Sequence, residues 1–217
     1  MASSFVLAPA AIIVAWLGGA VFIIFWGGAA IVIAWEWTKL VALARNRAAW
    51  IVAGGVYAGV TLLAPLILRA DPEYGLLAIV LLFAVVWATD ILGFVAGRAI
   101  GGRKLWPAVS PNKTWSGAIG GLVGALAAGL AVGALSTNAL TPIAILSVIL
   151  SMVAQGGDLL ESAIKRRFGA KDTSDLIPGH GGLMDRLDGF IAAAFVALVI
   201  GLVRGGPDAA GRGLLVW

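Results

Sequence analysis

The chain has 217 residues, of which 61% are hydrophobic and 12% charged, with a mean hydropathy of +1.01. A water-soluble domain carries about twice that share of charge, and a disordered chain needs low hydrophobicity with high net charge, so both classes are excluded. The absence of cysteine removes a disulfide framework, a zinc–thiolate site and a thiol nucleophile, leaving an integral membrane protein of net charge +4.

In chain order, the uncharged runs are 5–35, 48–68, 74–89, 114–157 and 189–203. An apolar helix needs about 20 residues to cross roughly 30 Å of hydrocarbon. The run 5–35 is too long for one upright span, and Gly18-Gly19 and Gly27-Gly28 each permit a tight hairpin within it. No basic residue precedes it, unlike a secretory signal peptide. Residues 48–68 form one span and about 74–98 another. The run 114–157 reads as two spans joined at Ser136-Thr137-Asn138, with Pro142 just beyond, and about 188–204 completes the set. The expectation is an all-α, polytopic integral membrane helical bundle of about seven spans, a single domain over 1–217. Its long polar stretches are two loops, 97–116 and 162–188. The spacing of Gly117, Gly120, Gly121, Gly124, Gly129 and Gly133 in the fifth span suits close helix packing.

Traced through alternating spans, all but Arg69, Arg204 and Arg212 of the 15 basic residues fall on one side. The positive-inside rule makes that side cytoplasmic, with both long loops on it. A short, loop-poor chain suggests a bacterial inner membrane.

The acidic residues carry the chemistry. Asp90 falls within a span, near its cytoplasmic end. Asp158 and Glu161 are three residues apart on one helical face, with Lys165 one turn beyond, and Asp185 and Asp188 repeat that spacing. Carboxylates at membrane depth are costly and persist mainly when paired or functional. Two pairs bounding one basic loop suggest a site for a hard divalent cation such as Mg²⁺, with oxygen ligands only. Each pair also has a structural reading: Asp185 and Asp188 at a positive helix N-terminus, Asp158 and Glu161 in salt bridges to Lys165 and Arg186. Between the pairs, Pro178-Gly179-His180-Gly181-Gly182 is not helical, and its glycines let backbone N–H groups approach phosphate oxygens. The Walker pattern is absent, which excludes a P-loop NTPase. His180, the only histidine, reads as a loop hydrogen-bonding residue, a general base or a ligand.

Residues 162–188 read S-x-[apolar]-K-R-x4-K-D-x-[GSA]-x2-[LIF]-[PG]-x-H-G-G-[apolar]-x-D-R-[apolar]-D at every specified position, from Ser162 to Asp188. On these residues the chain resembles the phosphatidate cytidylyltransferase (CDP-diacylglycerol synthase) family. Gly157-Asp158-Leu159 with Glu161-Ser162, and the stretch from Asp90 through Gly97-Arg98 to Ser110–Gly117, are also similar to it. The resemblance covers about 87–190, the expected catalytic part, with Trp35-Glu36-Trp37 a weaker echo. The chain is shorter than is usual in that family, the difference lying ahead of residue 75.

The resemblance implies transfer of CMP from CTP to phosphatidic acid, releasing pyrophosphate and leaving CDP-diacylglycerol in the membrane. Both reacting partners are anionic, so catalysis rests on positioning and charge neutralisation. Asp158 and Asp185 take the role of metal ligands, with Glu161 and Asp188 supporting them. The metal is Mg²⁺, with a second monovalent or divalent cation left open. Lys165, Arg166, Lys171 and Arg186 are placed at phosphates, Lys165 and Arg186 among the catalytic groups. Arg98, Ser110, Lys113, Thr114, His180, Gly181 and Gly182 complete the substrate contacts, although Ser110 or Thr114 also fits a helix cap. A homodimer is implied, and no nucleic-acid partner. Two alternatives stay open: a cytidylyltransferase acting on another membrane lipid phosphate, and a small cation transporter, which the clustering of acids at one interface disfavours.

Overall fold

The computed structural model describes residues 2–135 (side chains from residue 9), 139–174, 176 and 181–217. The first apolar run folds as α1 (Ala2–Leu17) and α2 (Gly19–Leu40). They break at Gly18 and Gly19, whose φ angles of 62° and 51° lie in the left-handed region that favours glycine. Gly27-Gly28, the other expected hairpin position, stays inside α2. In hydrocarbon the backbone has no water to bond to, so a helix outlasts a locally poor propensity.

Next come α3 (Arg47–Ala70), α4 (Gly75–Ile100), α5 (Trp115–Gly133), α6 (Leu140–Arg167) and α7 (Met184–Gly205). A 3₁₀ turn at Pro207–Ala209 leads into α8 (Ala210–Leu215). Among the described residues six helices, α2 to α7, are long and apolar enough to cross a membrane. The 16-residue α1 falls short of that length, so the described residues give six such helices against the expected count of about seven. The expected turn at Ser136–Asn138 lies outside the described residues.

Both polar loops are shorter than their sequence bounds. Lys104–Trp106 (β1) and Ser110–Thr114 (β2) form an antiparallel pair, with Lys104 opposite Thr114 and Trp106 opposite Ser110. Strands this short leave no period to read in the sequence. Thr114 caps α5, its Oγ1 accepting the Gly117 N–H at 3.1 Å, as one of the two readings anticipated. At the second loop α6 continues through Ser162–Arg167, and α7 already begins at Met184.

Small residues set the spacing that brings the site together. A Cβ at Gly117, Gly121 or Gly124 of α5 would lie 2.8, 2.9 or 2.8 Å from the carbonyl oxygens of Gly93, Thr89 and Ala88 in α4. The two helices therefore pack backbone against backbone, as small-residue stripes allow in lipid. Between α6 and α7, a Cβ at Gly157 would lie 3.1 Å from the Asp188 carbonyl, and one at Gly189 3.1 Å from that of Ala154. Asp158 and Asp188, the neighbours of these glycines, are thereby held on adjoining helices. Thr89 Oγ1 lies 2.8 Å from Ser151 Oγ, and Gln155 Nε2 donates to Ala118 O at 3.3 Å, tying α6 to α4 and α5. Trp26 of α2 stacks on Phe190 of α7 at 5.0 Å, closing the core below the carboxylates.

Candidate active site

A cavity of about 1500 Å³ opens among α1, α2, α4, α5, α6 and α7. One part is charged: Asp90 and Arg98 on α4, Lys113 on β2, Asp158 and Lys165 on α6, and Asp185, Arg186 and Asp188 on α7. The lining also includes apolar side chains, Phe25, Trp26, Phe83, Trp87 and Phe94 among them, with Pro9 and Ile12 from α1. One space thus offers charge for phosphate and hydrocarbon for acyl chains.

The charged part is cross-linked by lysines. Lys113 forms an ion pair with Asp158, joining the β-hairpin to α6. Lys165 bridges Glu161 at 2.7 Å along its own helix and Asp185 at 2.5 Å across to α7. The structural reading of Glu161 with Lys165 therefore holds, and the same lysine also reaches the second acidic pair. Asp185 Oδ2 accepts the Gly182 N–H at 2.7 Å, the Thr173 N–H at 3.0 Å and the Thr173 hydroxyl at 3.0 Å. Asp188 Oδ1 accepts its neighbour Gly189 N–H at 2.6 Å.

The glycines of the loop serve the carboxylates directly. Gly181 has φ 79°, and a Cβ there would lie 2.7 Å from Asp185 Oδ2. A Cβ at Gly182 would collide with Thr173 Oγ1 and a Glu36 carboxylate oxygen. The Gly182 N–H, expected to face a phosphate, is turned to Asp185 instead. His180 lies outside the described residues.

Other expected contacts sit apart from the cavity wall. Lys171 is exposed, and Arg166 is exposed with Nη1 donating to Ala170 O at 3.2 Å. Ser110 lies in β2 opposite Trp106, whereas Thr114 is on the wall. Two acidic residues outside the expected set belong to this site. Asp90 lines the cavity from α4, and its sequence signals were its place in an apolar run and at the start of a stretch that resembles the family. Glu36 of α2 is 0% exposed and holds the loop from behind. Its signals were a lone acid at the end of an apolar run and the weaker family echo of Trp35-Glu36-Trp37.

The donor set suits a hard cation. Five aspartates, Asp172 among them, line one cavity, and Glu161 Oε1 is buried with no hydrogen-bond partner, a cost that a cation or proton would relieve. No three acidic or histidine side chains among the described residues are preassembled at metal-ligand spacing.

These features define a membrane-embedded helical bundle with an amphipathic, phosphate-compatible cavity. The profile of the cytidylyltransferase family matches residues 48–203, from α3 to the last turn of α7, and the chain belongs to that family. It is 49% identical over 170 residues to a phosphatidate cytidylyltransferase of Brucella abortus, covering 78% of this chain and 63% of that one. It is 46% identical over 129 residues to the Haemophilus influenzae protein of the same name, covering 57% and 45%. With the Bacillus subtilis one it shares 36% over 148 residues, covering 67% and 55%. The chain thus spans less than two thirds of the length of each of these relatives.

Proposed function

We propose that this chain transfers CMP from CTP to phosphatidic acid, forming CDP-diacylglycerol and pyrophosphate. The observation that carries this reading is one cavity lined both by charged groups and by aromatic side chains. An acceptor with a phosphate head and two acyl chains matches both kinds of lining at once. The names of the relatives agree with it.

In the reaction a phosphate monoester oxygen of the lipid attacks the α-phosphorus of CTP. The bond from that phosphorus to the β-phosphate bridging oxygen breaks, and pyrophosphate departs. Lys113, Lys165, Arg98 and Arg186, all on the cavity wall, neutralise phosphate charge and hold the two anions together. Asp158 and Asp185 would hold Mg²⁺, with Asp188 and Glu161 in support, and the ion would supply further neutralisation of the triphosphate. Lys171 and Arg166, exposed beside the site, attract the nucleotide from water. The charge asymmetry of the loops supports a cytoplasmic site in a bacterial inner membrane. The protein is further proposed to act as a homodimer, which its mass in a defined detergent micelle tests.

The deciding experiment incubates purified protein in detergent with Mg²⁺, labelled CTP and phosphatidic acid, and extracts product into organic solvent. Labelled lipid that requires both substrates and disappears with chelator is the expected result. CTP binding with no labelled lipid would move the reading to another lipid phosphate, and neither binding nor product would end it.

A further inference from the structure

Glu36 stands outside the region matched by the family profile, on a helix that contributes no charged group to the cavity wall. Its side chain is fully buried. Oε1 accepts the Ser174 hydroxyl at 2.6 Å and the Leu183 N–H at 2.9 Å. Oε2 accepts the Met184 N–H at 2.7 Å and lies 3.4 Å from the Thr173 hydroxyl. No lysine or arginine forms a salt bridge with it among the described residues. Four donors and the start of α7 take the place of a counter-ion, since free N–H groups at a helix start favour negative charge.

The partners of Glu36 are also the partners of Asp185. Thr173 lies between the two acids, with Oγ1 at 3.0 Å from Asp185 and 3.4 Å from Glu36. Leu183 and Met184 immediately precede Asp185, so bonds to their N–H groups fix where its Cα stands. From Asp185 the chain of contacts runs on to Lys165 and Glu161. A capping role alone would need the two backbone bonds and not the two hydroxyls from the opposite side of the loop.

We propose that Glu36 is a positioning residue for the transfer reaction: through Thr173 and the first turn of α7 it sets the orientation of Asp185 and, with it, of Lys165. The catalytic part of the claim rests on the proposed cytidylyltransfer, and the geometric part does not. Helix α2 thereby becomes part of the catalytic apparatus. Displacing a reacting group by about 1 Å costs up to roughly 100-fold in rate, which sets the scale of the effect.

The test compares wild type with Glu36→Gln, which keeps the shape and one acceptor, and with Thr173→Val and Thr173→Ser. Residue-resolved hydrogen exchange in detergent is followed at Thr173 and Gly182, whose N–H groups bond to Asp185 rather than to Glu36. Glu36→Gln should speed exchange at both, and faster exchange confined to Leu183 and Met184 would reduce Glu36 to a helix cap. In turnover, Glu36→Gln should lower kcat about 10- to 100-fold with the KM for CTP unchanged. Its effect should shrink in the Thr173→Val background and persist in Thr173→Ser. Full additivity with Thr173→Val, or an unchanged kcat, would overturn the proposal. A wild-type protein that makes no labelled lipid would overturn the proposed reaction instead, and the exchange measurement would still decide whether Glu36 positions Asp185.

Discussion

The two ends of the bundle satisfy their charges in different ways. At the end joining α3 to α4, Asp71 accepts only main-chain donors: Glu73 N–H at 3.0 Å, Tyr74 N–H at 2.9 Å and Arg212 N–H at 2.7 Å. Arg69 Nε donates to Ala15 O at 2.9 Å, and Arg204 donates to Gly213 O at 2.5 Å and Val216 O at 2.9 Å. At the other end, Lys113 and Lys165 meet Asp158, Glu161 and Asp185, side chain to side chain. A charge bonded to backbone alone is part of the scaffold and leaves only by unfolding. A charge paired with another flexible side chain can exchange that partner for a ligand. The first end pins termini and turns; the second offers a phosphate and a cation groups that are already gathered in one place.

Substitutions at both ends test that division. The largest effect is expected for Asp158→Asn and Asp185→Asn, each lowering turnover roughly 100-fold or more in the CTP and phosphatidic acid assay. Wild-type rates in either would remove that residue from the metal site. Asp71→Ala is expected to lower stability by about 2 kcal/mol, read as the thermal midpoint in detergent, because it strips the acceptor from three part-buried N–H groups. The kcat of the folded fraction should not change. A lost kcat at full stability would place function at the wrong end.

Acid sharpens the same point. Burial alone would raise the Asp71 carboxyl, but bonds from the N–H groups of Tyr74, Arg212 and Glu73 hold it below its ordinary value. With the folded value lowered, its contribution is present above the ordinary aspartate range near 4 and is lost as pH falls through the folded value. The thermal midpoint should therefore fall below about pH 4 more steeply in wild type than in Asp71→Ala. Parallel curves would show that this carboxyl is unperturbed. The smallest expected effect belongs to the exposed Lys171: Lys171→Ala should raise the KM for CTP a few-fold at low salt, converging on wild type at high salt. A KM indifferent to the substitution would detach Lys171 from nucleotide capture.

What the amino-acid order determined is whatever repeats or pairs over short distances. Hydropathy marked α2 to α7, and the helical spacing of Asp158 with Glu161, and of Asp185 with Asp188, placed each pair on one face. The loop motif identified the family resemblance that the family profile bears out. The position of the first helix break was narrowed to two glycine pairs, and only the packed structure chose Gly18-Gly19. The pairing of Lys113 with Asp158, the bridging of two acidic pairs by Lys165, and the burial of Glu36 against residues 137 to 148 positions away were decided by tertiary structure. Such contacts depend on how closely α4 meets α5 and α6 meets α7. That distance is set by glycines meeting carbonyl oxygens on a neighbouring helix, and no local pattern records which neighbour a helix will have.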